Sequence, residues 1–559
     1  MKNEPFEIGL VGAGAISAGA YTAGVIDFMV YALDLWYQAK KEGDASVPQH
    51  DVRLSVFSGA SAGAITAALA AGYLASDQPP ITSESDANYN RGRNKLYDSW
   101  VDRIDMSSLL QGTDLADQDA NVVSALDSTI LTEIAQTGLD VQPRAEKRPY
   151  VAENFELVLT VTNLRGVPYG FTVDGGWGGI DKYDMSLHAD YVHFQINDTG
   201  HDPEISDRYT LSWNDLCDSV HPVTEKIKTA ALASGAFPIG LAPRTLEHAV
   251  NLPHGNGMYS SRKWPVPTPD SDKCTQMKEI KADWGSASRN YTYSFQCVDG
   301  GVMNNEPLEL ARQLLAGSGN YNPRTCDHAN RAVLMIDPFP SESLFDPDYK
   351  EAPDLLNMAK TLFGALKNQA RFKPDELTLA SSNQVCSRFM IAPKRDGELY
   401  PIACGSLGGF GGFLSRKFRK HDYFLGRRNA QRFFREHFVL RADHPLFASW
   451  SEDAVNEYEF DGQNGRVRPI IPLVGEAMND CALLEWPEYE KSEFDTFLKQ
   501  VESRAGLVID RMVGQYFRNN FWLIRFIARK VLGRKKKDLV EYVEKVVSGD
   551  LKKMLLMRD

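Results

Sequence analysis

The sequence predicts an α/β protein with a mostly parallel central sheet, followed by a mainly helical region. Residues 6–75 run in the order strand, loop, helix, strand, tight turn and helix. Strands that alternate with helices usually form one parallel sheet, because each helix crosses back over the sheet to the next strand. Beyond about residue 345 the apolar residues recur mainly at helical spacing.

The first predicted strand leads into a glycine-rich turn. An apolar run at 8–11 is followed by Gly12 and Gly14, and Gly19 precedes a helix expected at about 20–40. Backbone N–H groups in such a turn can converge on an anion. A dinucleotide-binding loop is the alternative, but the third glycine comes two positions late for G-x-G-x-x-G and no G-x-x-x-x-G-K-[ST] motif is present. We therefore favour an oxyanion-binding loop.

The second predicted strand, 52–57, ends at a G-x-S-x-G motif formed by Gly59, Ser61 and Gly63. An alanine-rich helix follows from residue 64. A nucleophilic serine needs this strand–turn–helix context, because it occupies a strained turn that flanking glycines keep open. The helix also directs its positive end at the place where an oxyanion forms.

A third element combines an alternating run at 291–297 with Asp299, Gly300 and Gly301. The run predicts a strand, so Asp299 would lie at a strand end, where active-site side chains are often displayed. The alternative is an ordinary Asp-Gly turn with no chemical role.

Together, the three elements resemble the patatin-like phospholipase family over about residues 6–340. The segment Ala233-Ser234-Gly235-Ala236-Phe237-Pro238 and the residues Asn304 and Pro307 extend the likeness. The resemblance implies a three-layer fold with Ser61 as nucleophile and Asp299 as its base, a dyad without histidine. It also implies an oxyanion hole built from the backbone of Gly14, Ala15, Ile16, Ser17, Ala18 and Gly19.

The glycine loop departs from the family pattern G-G-G-x-[RK]-G, since residues 14–19 read G-A-I-S-A-G. Two glycines are lost, and Ala18 stands where the family has a basic residue. This departure motivates an alternative hypothesis, a lipid-binding or scaffold protein with an impaired site. The intact motifs at Ser61 and Asp299 argue against it, because a protein without catalysis has no chemical need for them.

A second enzymatic alternative is an α/β-hydrolase esterase with Ser, Asp and His in that chain order. None of its candidate histidines lies in a clear strand-end loop, and Ser61 comes early for that fold. These candidates are His328, His421, His437 and His444.

The function predicted from the resemblance is hydrolysis of a carboxylic ester in a phospholipid or lysophospholipid through an acyl-enzyme. Phospholipase A or lysophospholipase activity is the expected form. Base and oxyanion donors would all be protein groups, so we expect no metal and no cofactor. The oligomeric state stays open.

Composition limits the partners and the compartment. The net charge of −13 makes nucleic-acid binding unexpected. The seven cysteines are scattered and never spaced as C-x-x-C, which argues against a disulfide framework or zinc site. The first residues lack a basic start and an unbroken apolar run, so we expect a cytoplasmic protein, with peripheral membrane contact as an open addition.

The sequence suggests three regions: a catalytic domain at 1–345, in which 76–150 is an insertion able to cap the site, a helical extension at 346–450, and a C-terminal helical region at 451–559. The extension contains a glycine-aromatic loop, Gly405–Phe413, and a basic-aromatic segment at 416–435. For that segment we favour a packed helix with a solvated basic face over a headgroup-binding patch. The basic amphipathic stretch at 511–537 fits a docked helix and a membrane-interface helix equally well.

Overall fold

The computed structural model of the protein describes residues 4–558 with internal gaps. The gaps are 118–119, 176–178, 202–206, 250–258, 260–261, 269–270, 280, 287–290, 318–320, most of 340–383, 463–464 and 517–521. Side chains at 171–182, 263–268, 271–279 and 522–534 also lie outside the description. The sequence also predicts a helix at 354–369, and this stretch and most of the basic stretch at 511–537 fall in these parts.

The strands, in chain order, are β1 (Phe6–Gly12), β2 (Val52–Gly59), β3 (Val151–Gly175), β4 (Gly179–Asn197), β5 (Tyr209–Ser212), β6 (Arg244–Ala249), β7 (Lys263–Thr268), β8 (Ser271–Glu279), β9 (Thr292–Asp299), β10 (Arg331–Ile336), β11 (Arg388–Ile391), β12 (Val439–Arg441), β13 (Phe460–Gly462) and β14 (Gly465–Pro469). The helices are α1 (Gly19–Lys41), α2 (Ala62–Ala75), α3 (Glu84–Tyr89), α4 (Lys95–Tyr97), α5 (Met106–Leu109), α6 (Thr129–Gly138), α7 (Trp213–Cys217), α8 (Pro222–Ser234), α9 (Leu308–Ala316), α10 (Arg416–Glu436), α11 (Glu452–Tyr458), α12 (Lys491–Tyr516) and α13 (Trp522–Lys553).

A nine-stranded sheet forms the centre of the fold. The strands β11, β10, β1, β2 and β3 run parallel in that spatial order, and β4 joins β3 antiparallel. On the other edge of β3, beyond the end of β2, β9 pairs antiparallel with it and β6 follows β9. The predicted α/β class with a largely parallel sheet and a helical C-terminal region is confirmed. The sheet also takes in β11, which lies past the predicted domain boundary at residue 345.

Helix α1 is the central core helix and packs closely on α10. A Cβ added at Gly24 would overlap the backbone carbonyl of Tyr423, so only glycine permits this approach. Asp27 is fully buried on α1 and pairs with buried Arg427 of α10, while Tyr73 and Asn94 donate to the same carboxylate. A buried charge is tolerated when it is paired and hydrogen-bonded in this way.

Of the described helices, Ile16–Lys41 is long and apolar enough to cross a membrane by length and composition, and 89% of its most apolar window is buried inside the protein.

The segment at 76–150 contributes α3 to α6 and a π-helical turn, Asp98–Arg103. Its aromatic residues Tyr97 and Trp100 are buried against the body of the protein. On its outer side, the segment contacts α12, where Arg504 forms an ion pair with Asp114 and donates to the carbonyl of Ala125. The segment is therefore held between the helices around the central sheet and the C-terminal helices.

The basic-aromatic segment forms α10 and lies in the core. Its rings at Phe418, Tyr423, Phe424 and Phe434 are buried, as are Arg419 and Arg427. The solvated basic face predicted for this helix therefore does not include Arg419 and Arg427, which are buried. A later group, Arg428, Arg432 and Arg435, lines a groove on the other side of the helix, together with Asp396, Glu436 and Asp480.

One disulfide was not expected from the cysteine pattern. Cys326 and Cys386 are joined, with their Cα atoms 4.8 Å apart. A β-bridge between Thr325 and Val385 brings the two loops together. Such a long-range contact cannot be read from spacing along the chain. Cys217, Cys297 and Cys404 are buried free thiols.

Candidate active site

Ser61 occupies a sharp turn between β2 and α2. Its backbone has φ 53° and ψ −124°, a conformation that non-glycine residues seldom adopt. Such strain costs about 1–3 kcal/mol and persists only where the surroundings enforce it. Here both flanking glycines lie against neighbouring backbone. A Cβ on Gly59 would overlap Gly63, and a Cβ on Gly63 would overlap Gly12. The backbone N–H of Ser61 also donates to Ser234 Oγ at 2.8 Å.

Strand register brings Asp299 to this turn. On β3, Leu159 pairs with Gly59 at the end of β2, and Val161, two residues on, pairs with Asp299 at the end of β9. Two residues along a strand span about 6.7 Å. The two strand ends therefore display their side chains at one place on the sheet.

Ser61 Oγ donates to Asp299 Oδ2 at 2.7 Å, and both residues are about 5% exposed (6% and 5%). The N–H of Gly301 donates to the other carboxylate oxygen, Oδ1, at 2.7 Å. Thr162 Oγ1 donates to the carbonyl of Asp299 at 2.8 Å. One oxygen is thus fixed by the backbone while the other faces the serine hydroxyl, an arrangement that can move a proton between them.

The glycine loop lies against Ser61. A Cβ built on Gly14 would be 3.2 Å from Ser61 Cβ and would overlap Asn305 Oδ1. Of the six predicted oxyanion donors, Gly14 and Ala18 donate instead to the carbonyls of Asn305 (3.1 Å) and Ala15 (2.9 Å). The N–H of Gly19 is likewise directed at the carbonyl of Ser17. We therefore narrow the candidate donors to the amides of Ala15, Ile16 and Ser17.

Ile16 has a positive φ of 49°, which is unusual for a β-branched side chain. It follows Ala15 directly and begins a 3₁₀ turn, Ile16–Ala18. The second strained backbone position of the site thus lies in the part of the loop that carries the remaining candidate donors.

An apolar cavity lies against α2, the helix that follows Ser61. Three observations relate the cavity to the site: Ile65 is one helical turn after Ser61, a Cβ on Gly235 would meet Ile65, and a Cβ on Gly19 would meet the ring of Trp100. The cavity walls come from α2, α8, α6 and the π-helical turn. They are Ile65, Ala68, Leu69, Ser99, Trp100, Ile104, Leu131, Ile134, Ala135, Leu139, Lys228, Ala231 and Leu232.

The histidines proposed for a triad have other contacts. His421 lies against Asp422, with Nδ1 2.7 Å from Oδ1, and His328 Nδ1 lies 3.2 Å from Thr325 Oγ1. His444 caps a short 3₁₀ helix, and His437 is near Glu436. The hydroxyl of Ser61 is directed at Asp299. The geometry thus favours the dyad over the triad.

Several residues of the site escaped the sequence analysis. Asn305 packs between Gly14 and Gly301 and donates from Nδ2 to Glu306 at 2.7 Å. Arg371 in turn donates to Glu306 at 2.9 Å. Ser234 belongs to the Ala233–Pro238 segment, but nothing in the sequence indicates its hydrogen bond to Ser61. Asn305 and Glu306 follow the D-G-G motif within five residues. That closeness in sequence was the available signal for these two residues.

Among the residues that the structure describes, no group of three or more His, Cys, Asp or Glu side chains has the arrangement of a metal site.

Comparisons with known proteins relate the chain to one family. The sequence model of the family described as Patatin-like phospholipase matches residues 10–312. An uncharacterized protein of Sinorhizobium fredii, y4iI, is 37% identical over 549 residues, covering 91% of this chain and 76% of that protein. Among solved structures, VipD from Legionella pneumophila matches with 13% identity and a TM-score of 0.22, covering 97% of this chain and 80% of that one.

Proposed function

The chain belongs to the patatin-like phospholipase family, a family of lipid acyl hydrolases, and from that premise we propose that it cleaves carboxylic esters of phospholipids or lysophospholipids. The observation that carries the proposal is the hydrogen bond between Ser61 Oγ and Asp299 Oδ2, 2.7 Å long, at a strained elbow beside the glycine loop. In this proposal the activity is of phospholipase A or lysophospholipase type.

The proposed reaction has two halves. Ser61 Oγ forms a bond to the acyl carbonyl carbon as its proton passes to Asp299, and the loop amides stabilise the oxyanion. The ester C–O bond then breaks, and the leaving alcohol takes the proton from Asp299. In the second half, water gives its proton to Asp299 and attacks the acyl-serine. Ser61 leaves with that proton, and a fatty acid is released.

The apolar cavity supports a lipid substrate. Its wall residues at Ile65, Ala68 and Leu69 follow one face of α2 away from Ser61, over about 12 Å from Ser61 to Leu69 at the helical rise per residue. A long acyl chain whose carbonyl lies at Ser61 would run along this face and leave water, which is favourable for each methylene buried.

We further propose that the protein is cytoplasmic and makes peripheral contact with an anionic membrane. The support for this contact is the sequence at 511–537, which has nine basic and no acidic residues interleaved with aromatic ones. Sedimentation with vesicles containing phosphatidylglycerol, compared with pure phosphatidylcholine vesicles, tests this part separately from catalysis.

The test of the proposed function is fatty-acid release from phosphatidylcholine–phosphatidylglycerol vesicles and from lysophosphatidylcholine micelles. We expect release by the wild type and none above background by Ser61→Ala. Ser58→Ala is the matched control, because Ser58 is a buried serine of β2, three residues before Ser61, whose hydroxyl donates to a backbone carbonyl. Equal release by wild type and Ser61→Ala would overturn the proposal.

A second candidate function, lipid binding without hydrolysis, is favoured by one observation. Ala18 replaces the basic residue of the family pattern, and its N–H donates to the carbonyl of Ala15 within the loop. This candidate predicts that the wild type is inert on every ester tested but still binds a fluorescent fatty acid with the affinity of Ser61→Ala.

A further inference from the structure

Ser17, in the middle of the glycine loop, is held by a distant part of the chain. Its fully buried hydroxyl donates to the carbonyl of Gly409 at 2.5 Å and accepts from the N–H of Gly412 at 3.0 Å. Both partners belong to the glycine-aromatic loop, about 390 residues away. Both hydrogen bonds of the hydroxyl, one donated and one accepted, are therefore made to the same neighbouring loop.

The fit between the two loops requires glycine on one side. A Cβ on Gly412 would overlap Ser17 Oγ and Cys404 Sγ, and a Cβ on Gly409 would lie 3.3 Å from the side chain of Ile16. Gly409 also has φ 100°, in the region that favours glycine. The glycine-aromatic loop thus packs directly on Ile16 and Ser17, which include the strained position and two of the candidate donors.

The glycine-aromatic loop is itself fixed by the helices of the C-terminal half. Arg419 of α10 donates to the carbonyl of Gly412 at 2.7 Å. Asp422 of α10 accepts from the N–H groups of Ala403 (2.9 Å) and Cys404 (2.8 Å), just before the loop. From α13, Asp550 accepts from the N–H of Leu407.

We propose that Ser17 and Asp550 are positioning residues, and that the glycine-aromatic loop is a brace through which α13 holds the oxyanion donors in place. The brace offsets the backbone strain of the substituted glycine loop, since Ile16 keeps its positive φ only while its neighbours enforce it. The inference rests on the proposed function, because its effect is on the rate of the same hydrolysis. It gives the C-terminal helices, which lie outside the family match, a role in the reaction.

The test compares Ser17→Ala and Asp550→Ala with the wild type on p-nitrophenyl butyrate and on lysophosphatidylcholine. Both variants retain every backbone N–H of the glycine loop. We expect kcat to fall about 10- to 100-fold for both substrates, with KM changed by less than about two-fold, because misplaced donors weaken transition-state binding alone. The matched controls are Ser76→Ala, another buried serine bonded to a backbone carbonyl, and Asp538→Ala, an exposed position on α13.

Deuterium uptake provides a readout that does not depend on activity. In Asp550→Ala, uptake should rise in peptides covering residues 14–19 as well as 403–413, and Asp538→Ala should leave both unchanged. Asp550 is only partly buried, so this variant remains informative even where Ser17→Ala fails to fold.

Unchanged kcat and unchanged uptake at 14–19 in Asp550→Ala would overturn the brace. A wild type with no activity would instead count against the proposed function, while increased uptake at 14–19 in Asp550→Ala would still support the mechanical link.

Discussion

At the residue scale, the candidate site concentrates its strain at two backbone positions, Ser61 with φ 53° and Ile16 with φ 49°. Ser61 carries the proposed nucleophile, and Ile16 lies among the proposed oxyanion donors. Strain of this kind is kept at functional sites when it presents groups that a relaxed backbone would turn away. The surrounding contacts, from Ser234 and the glycine-aromatic loop, are what hold the two positions.

A buried histidine away from the site is expected to make the stability of the protein depend on pH. His50 accepts from Trp450 Nε1 at 2.9 Å through Nδ1, so its proton lies on Nε2, which donates to the carbonyl of Ile470 at 2.9 Å. Burial lowers the pKa of His50 from 6.5 to about 3. Between about pH 6.5 and pH 3, His50 is protonated in the unfolded chain but neutral in the folded protein. The free energy of unfolding therefore falls as the pH falls.

We predict that this histidine alone removes about 2 kcal/mol of unfolding free energy between pH 7.5 and pH 5. Urea unfolding at both pH values measures the loss. His50→Gln should be less stable at pH 7.5 but should lose less on acidification. The same loss in the variant as in the wild type would show that His50 is not the group responsible.

At the element scale, the acyl chain is expected to lie between α2 and α6. Ala135 of α6 lines the cavity, while Gln136 beside it is exposed. Ala135→Phe should therefore shorten the cavity and lower the ratio of kcat/KM for palmitoyl over butyryl p-nitrophenyl esters by about 10-fold. Gln136→Phe is the matched control. An unchanged ratio in Ala135→Phe would place the acyl chain elsewhere.

Local signals in the sequence were sufficient for the elements around Ser61. The apolar run of β2, the glycines of the turn and the alanines of α2 lie next to one another, so their arrangement could be predicted. Family resemblance supplied Asp299, but the pairing of β9 with β3 that places it joins residues more than a hundred positions apart. The hydrogen bond of Ser17 to Gly409 also joins residues far apart in the chain, and no periodic pattern in the sequence predicts it.

At the whole-molecule scale, the family match ends at residue 312 but the fold does not divide there. Strand β11 extends the central sheet, and α10 covers α1 with backbone-to-backbone contact. Phe438 packs edge-on against Phe6 of the first strand. The C-terminal half therefore completes the same core that supports Ser61.

We predict that a chain ending at residue 345 does not fold cooperatively. Without α10, the apolar face of α1 around Phe28, which stacks on Phe434, would be exposed to water, and Asp27 would lose its ion pair with Arg427. Circular dichroism and thermal unfolding of the truncated and full chains measure this. A sharp unfolding transition in the truncated chain, with ester hydrolysis retained, would show that residues 1–345 are an independent domain.

The central claim is that Asp299 activates Ser61, and the most direct measurement is the rate at which a fluorophosphonate labels Ser61. Mass spectrometry locates the adduct and gives the rate in the wild type and in Asp299→Asn, which keeps the shape of the side chain but cannot accept the proton. The account predicts labelling at Ser61 in the wild type and a rate at least about 10³-fold lower in the variant. Labelling at equal rates, or at a serine other than Ser61, would contradict it.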